Sequence, residues 1–110
     1  MSVEDDVKKL FAKLPQAFIP ERAAGVTATI QLNLSGDGGG DWVLDIKDGQ
    51  LLVSEGQAQS PDLTLGMEAR DYVALSRGEV SPMALFGAGK IKLQGNMNVA
   101  LKFQEMFARN

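Results

Sequence analysis

The longest uninterrupted alternation of apolar and polar residues runs from Val26 to Ser35. Val26, Ala28, Ile30, Leu32 and Leu34 share one side of an extended strand there. Thr27, Thr29, Gln31, Asn33 and Ser35 share the other. The pattern predicts a sheet with one dry face and one wet face. Trp42 to Lys47 alternates again, Asp48-Gly49 is the dipeptide of a type I′ turn, and the alternation resumes at Gln50. That turn sets Ile46 against Leu51 and Leu44 against Val53. Trp42, Leu44, Ile46, Leu51 and Val53 therefore extend the dry face, and Leu52 points outward with Asp45. A fourth strand is predicted over Asp62–Met67, with Leu63, Leu65 and Met67 inward. A fifth is predicted over Lys90–Gln94, with Ile91 and Leu93 inward.

The remaining apolar residues recur at helical spacing. Val3, Val7, Leu10, Phe11 and Leu14 form a first stripe, with Ser2 as N-cap, acids in the first turn and Pro15 setting a boundary at Leu14. Phe18 to Arg22 reads as a short helical turn. Glu68 to Arg77 reads as a helix closed by Gly78, and Ser81-Pro82 opens a short helix carrying Met83, Leu85 and Phe86. Gly95-Asn96 supplies a turn, a hinge and an N-cap for a last helix from Met97 to Ala108. Its apolar residues, Met97, Val99, Ala100, Leu101, Phe103, Met106, Phe107 and Ala108, cover more than half of the circumference. One sheet contact needs a narrower stripe. Such an arc suits a helix clamped between two apolar surfaces, a dimer contact or a cavity wall. The elements add up to one α+β domain over residues 1–110. It has a five-stranded, mostly antiparallel sheet and helices covering one face.

The chain has 110 residues, enough to bury roughly two-thirds of its unfolded surface. It contains no cysteine and no histidine, which removes disulfides, thiolate chemistry, the usual serine triad and the commonest metal ligands. The carboxylates are spread through helix faces and turns, with Asp5 and Asp6 adjacent at a helix start, Asp41 and Asp48 in turns and Glu68 and Asp71 at another helix start, and none of their spacings is that of a calcium loop. No catalytic residue, metal or cofactor is expected. A net charge of −3 gives no footprint for nucleic acid. The glycine run Gly36-Asp-Gly-Gly-Gly lacks a following Gly-Lys-Ser/Thr and a helix, so it reads as a hairpin loop and not a phosphate cradle. No apolar run approaches the ~18 residues of a membrane span. The start of the chain is acidic, unlike a secretory signal, so the expected location is cytoplasmic.

Trp42-Val-Leu-Asp-Ile-Lys-Asp-Gly49, Pro61-Asp-Leu-Thr-Leu-Gly-Met67, Asp71-Tyr72, Gly78, Phe86 and Gly89-Lys-Ile-Lys-Leu-Gln-Gly95 follow one another in an order and spacing that resembles the sterol carrier protein 2 family. The resemblance spans nearly the whole chain. It implies a hydrophobic tunnel between sheet and helices, non-covalent binding of a sterol, fatty acid, acyl-CoA or phospholipid, and no catalysis. The chain departs from peroxisomal members in ending Ala108-Arg-Asn110 instead of a Ser/Ala-Lys-Leu address.

On this reading Leu32, Leu34, Trp42 and Leu44 wall the tunnel from the sheet, and Met83, Phe86, Met97, Leu101 and Phe103 from the helices. Trp42 can equally plug the end of a core. The expected partner is a lipid or fatty-acyl ligand. Lys8, Lys9 and Lys13 beside the first apolar stripe permit transient membrane contact through the N-terminal helix. The protein is expected to be a monomer or weak homodimer. A different reading is an accessory module with a solid core, partnering a lipid- or quinone-handling enzyme.

Overall fold

The structure, a computed structural model, describes residues 3–106. Five strands form, β1 (Ala28–Ser35), β2 (Gly40–Lys47), β3 (Gln50–Glu55), β4 (Leu63–Glu68) and β5 (Lys92–Gly95). Helix α1 (Val3–Ala17) precedes them and is followed by a 3-10 turn at Pro20–Ala23. Helices α2 (Ala69–Ser76) and α3 (Pro82–Gly87) stand between β4 and β5, and α4 (Met97–Glu105) follows β5.

The alternation read from the sequence becomes the dry face. Val53, Leu44, Ile30 and Leu63 form one row across the sheet, and Trp42, Leu32, Leu65 and Leu93 form the next. Val7 and Phe11 of α1 and Ala69 and Val73 of α2 are buried against this face. The β2–β3 turn forms as expected, with positive φ at both Asp48 (54°) and Gly49 (72°), the requirement of a type I′ turn. The Ser81 hydroxyl accepts from the Ala84 N–H, and Asn96 Oδ1 accepts from the Asn98 and Val99 N–H groups, so both predicted caps form.

One local expectation changes. Pro15 does not end α1 at Leu14, and the helix runs on to Ala17. A proline in the last turn removes only its own N–H from the helical ladder. The next bond survives, from the Phe18 N–H to the Leu14 carbonyl at 3.1 Å. The predicted Ser2 cap, and Phe107 and Ala108 of the last helix, lie outside the described residues.

The sheet order is β3-β2-β1-β4-β5. Three of the four pairings are antiparallel, and β1 with β4 is parallel. The tight turn commits β3 to the far side of β2. The chain must therefore cross β2 and β1 through residues 56–62 before β4 can pair. It crosses on the polar face, where Gln31 holds it. The Gln31 side chain is 2% exposed, although it belongs to the wet set. Its Nε2 donates to the Gly56 carbonyl at 3.0 Å and the Trp42 carbonyl at 3.2 Å, and its Oε1 accepts from the Ala58 N–H at 2.7 Å. Gln31→Leu should leave two of the loop's backbone groups without partners. We expect a loss of about 1–3 kcal/mol in urea unfolding and faster proteolysis within residues 56–61. An unchanged urea midpoint would mean that the loop does not depend on this amide.

Candidate functional site

The dry face and its helical cover pack into a hydrophobic core. Phe11 of α1 lies between two rings from different elements. Its centroid is 4.1 Å from that of Trp42 on β2 and 5.1 Å from that of Tyr72 on α2, with interplanar angles of 15° in both cases. Such pairs add about 0.5–1.5 kcal/mol each beyond their burial, so the stack fixes both helices to one end of the sheet. Burial pushes the Tyr72 hydroxyl well above the usual phenol range, against a smaller opposing contribution from Ser76. At the other side α4 sets Val99, Ala100 and Phe103 against the core and buries Met106 completely. The Met106 carbonyl accepts from the Ile19 N–H at 2.6 Å, tying the end of α4 to the link that follows α1.

The nine residues singled out from the sequence fall into two groups. Leu32, Leu34 and Leu44 are buried on the dry face, and Trp42 and Phe103 pack half-buried against the same core. Trp42 thus lies at one end of the apolar layer, closed off by Phe11. Met83, Phe86, Met97 and Leu101 are exposed at 74%, 50%, 53% and 62%. They do not share the apolar layer with the sheet residues. The wide arc of α4 is explained by this division. One side of the helix faces the core, and Met97 and Leu101 face out. Periodicity alone shows that an arc is wide without showing how much of it is covered.

Gly95 also differs from expectation. It has φ +115°, but a Cβ there would strike the Asp62 carbonyl and lie 3.1 Å from Leu63 Cα. The residue is glycine because two backbones meet, so it forms a tight corner and not a free hinge. The apolar stripe of α1 is likewise committed. Val7 and Phe11 are buried, and Val3, Leu10 and Leu14 pack half-buried on the same core.

Two clefts accompany the core. One of about 650 Å³ opens on the polar side of β1, β4 and β5, between Asn33, Gly66, Lys92, Arg70, Asp71 and Lys90. Asp71 Oδ2 is buried there without a hydrogen-bond partner among the described residues, while Arg70 is engaged by Glu68 at 2.9 Å. The other, about 140 Å³, lies between the glycine run and the start of α1, with Glu4, Asp41 and Glu55 around it. Three carboxylates against the one ammonium of Lys8, itself paired with Glu4 at 3.3 Å, suit a phosphate poorly, in keeping with the hairpin-loop reading. Among the described residues no group of three or more acidic side chains could hold a metal ion, and no helix is long and apolar enough to cross a membrane.

A helix-roofed sheet with one continuous aliphatic face defines a class of α+β domain built around an apolar layer. Residues 7–108 match the SCP-2 sterol transfer family, and the chain belongs to that family. It is 31% identical over 99 residues to hydroxysteroid dehydrogenase-like protein 2 of Xenopus tropicalis, covering 88% of this chain and 24% of that protein. The chain thus spans about a quarter of the length of this curated relative. The crystal structure of sterol carrier protein 2-like 2 of Aedes aegypti superposes with a TM-score of 0.76 at 30% identity, covering 97% of both chains. The solution structure of the palmitated form of that mosquito protein gives 0.71 at 29% identity, covering 96% of this chain and 93% of that one.

Two measurements test this arrangement. Leu101→Lys should change stability by no more than about 0.5 kcal/mol, because the side chain is already exposed. Leu65→Ala, which empties the dry face, should cost about 2–5 kcal/mol in the same thermal or urea assay. Equal losses would place Leu101 in the core. For Tyr72 the fold favours the neutral phenol, so the unfolded chain ionises first as pH rises. Stability should fall as pH climbs above about 10, and Tyr72→Phe should remove that part of the slope. The chain has one tyrosine, so ultraviolet absorbance follows the same ionisation directly. A phenol titrating at its ordinary value would show that the ring is not buried.

Proposed function

We propose that the protein is a lipid carrier that holds a fatty-acyl chain between the dry sheet face and its helices, without catalysis. The observation that carries this reading is the family match over residues 7–108 together with an aliphatic sheet face under helices. A palmitated relative at 29% identity supports an acyl chain as the ligand. The affinity is reasonable on area grounds. About ten methylenes withdrawn from water contribute about 8 kcal/mol, the free energy of a micromolar complex. The wall would be Leu32, Leu34, Leu44, Trp42 and Phe103. Met83, Phe86, Met97 and Leu101 stand outside it. Leu32 and Leu44 are at most 2% exposed, so a guest enters only if the helical cover parts or side chains move.

Displacement of a fluorescent fatty acid by palmitate tests the carrier reading directly. Saturable displacement at one site per chain is expected. Trp42 is the sole tryptophan, so a brominated fatty acid bound along the wall should quench its emission. Displacement without quenching would move the ligand away from Trp42, and absence of displacement would sink the carrier reading. A second reading also has an observation behind it. The Xenopus tropicalis relative is named as dehydrogenase-like, and this chain covers 24% of it. In that case the domain serves as an accessory module beside a lipid-handling enzyme. A solid core would bind no fatty acid yet still support the enzyme's turnover.

A further inference from the structure

Gly66 stands inside β4 without a local reason to be glycine. It has no positive φ, and a Cβ on it would meet only Lys92 Cβ at 3.8 Å, an ordinary contact. Gly95, by contrast, is held to glycine by the backbone of Asp62. A glycine inside a strand weakens it and often marks a place where a ligand or another backbone approaches closely. Gly66 pairs with Asn33 on one side and Lys92 on the other. Paired residues share a face, so the missing side chain opens a gap between those two on the polar side of the sheet. That gap is the floor of the cleft of about 650 Å³. None of the wall residues proposed for the apolar layer lines it.

The walls of the cleft hold hydrogen-bonding capacity in reserve. Asn33 Oδ1 accepts from Gln31 Nε2 at 3.1 Å, so the Asn33 Nδ2 hydrogens remain to donate. Lys90 and Lys92 are exposed and form no ion pair with a described side chain. Thr64 and Gln94 add a hydroxyl and an amide. The two carboxylates differ. Glu68 is held by Arg70 at 2.9 Å, whereas Asp71 is half-buried and its Oδ2 lacks a partner among the described residues. Three cations and two anions line the cleft, a surplus of one positive charge. From this set we infer that the polar face of β1, β4 and β5 binds a small, flat carboxylate that also carries a hydrogen-bond donor. Its single negative charge matches the surplus and meets Lys90, Lys92 and the Asn33 amide. Its flat body covers the bare backbone of Gly66. Its donor supplies the partner that the Asp71 carboxylate lacks. A phosphate monoester would bring a second negative charge toward Glu68 and Asp71, and an apolar guest would leave the lysines and the Asn33 amide unused.

The probe is para-hydroxymethylbenzoate, titrated into the isotope-labelled full chain and followed by NMR. Benzoate, which lacks the donor, and benzyl alcohol, which lacks the charge, are the controls. Saturable shifts are expected at the Asn33 side-chain amide and at the Gly66 and Lys92 backbone amides, with nuclear Overhauser contacts from the probe ring to the Thr64 methyl. Benzoate should bind about fivefold more weakly, and benzyl alcohol about tenfold or more. Lys92→Ala should weaken the probe by about tenfold, and Asp71→Ala should erase its advantage over benzoate. Gly66→Val should fill the floor and abolish binding while the urea midpoint holds or rises. Gly66→Ala adds only the Cβ that has room, and it should weaken binding in the same direction even if the larger change disturbs the strand. Excess palmitate should leave the shifts in place, which keeps this site separate from the carrier reading. Loss of palmitate binding would remove that reading and leave the polar site standing. The inference is overturned by the absence of saturable shifts at these residues, by equal binding of the three compounds, or by Gly66→Val and Gly66→Ala proteins that bind like the parent. It is overturned equally by ring contacts to the Leu32 or Leu44 methyls that palmitate displaces.

Discussion

The carboxyl-terminal half of the molecule depends on how Asp62 joins β1 to β4. Its N–H donates to the Thr29 carbonyl at 2.8 Å, and its Oδ2 accepts from the Thr29 N–H, also at 2.8 Å. Its own carbonyl accepts from the Asn96 N–H at 2.9 Å. One residue thus starts the parallel pairing and fixes the cap of α4. A parallel pair cannot be made by a tight turn and needs a long connection that brings the chain back to the same end of the sheet. Here that connection has no helix, so polar bonds to the sheet surface must hold it. Once β4 is beside β1, β5 pairs on its free side and becomes the edge strand.

Much of the fold is legible from local pattern. The dry rows, the Asp48-Gly49 turn and the Ser81 and Asn96 caps each depend on residues within a few positions of one another. The parallel partner of β1 was not legible, because nothing near Asp62 in sequence says that Thr29 is its neighbour in space. The same holds for Gln31. Alternation assigns it to the wet face correctly, but its burial comes from a loop 25 residues further on. The wall residues divide for a related reason. Leu32, Leu34 and Leu44 lie on strands with neighbours on both sides, where apolar character and burial coincide. Met83, Phe86, Met97 and Leu101 lie on the helices α3 and α4, on sides that no described residue covers.

The two ends of the apolar layer differ in stiffness. At one end the stack of Trp42, Phe11 and Tyr72 fastens α1 and α2 to the strands. At the other, α4 rests on β4, sets Val99, Ala100 and Phe103 against the core, and is tied on by the Asp62–Asn96 corner and the Ile19–Met106 bond. Local opening draws on the weakest set of contacts in a structure.

The Gln31 bracket distinguishes an amide from its isosteric acid. A glutamate in the same place has the same shape, but its carboxylate would turn an oxygen toward the carbonyls of Trp42 and Gly56, where the amide now presents hydrogens. The charged form would be buried against acceptors with nothing to donate, and only the protonated acid could fill the space. A single-atom replacement in the middle of β1 would thus make a polypeptide whose crossover loop seats in acid and lifts at neutrality.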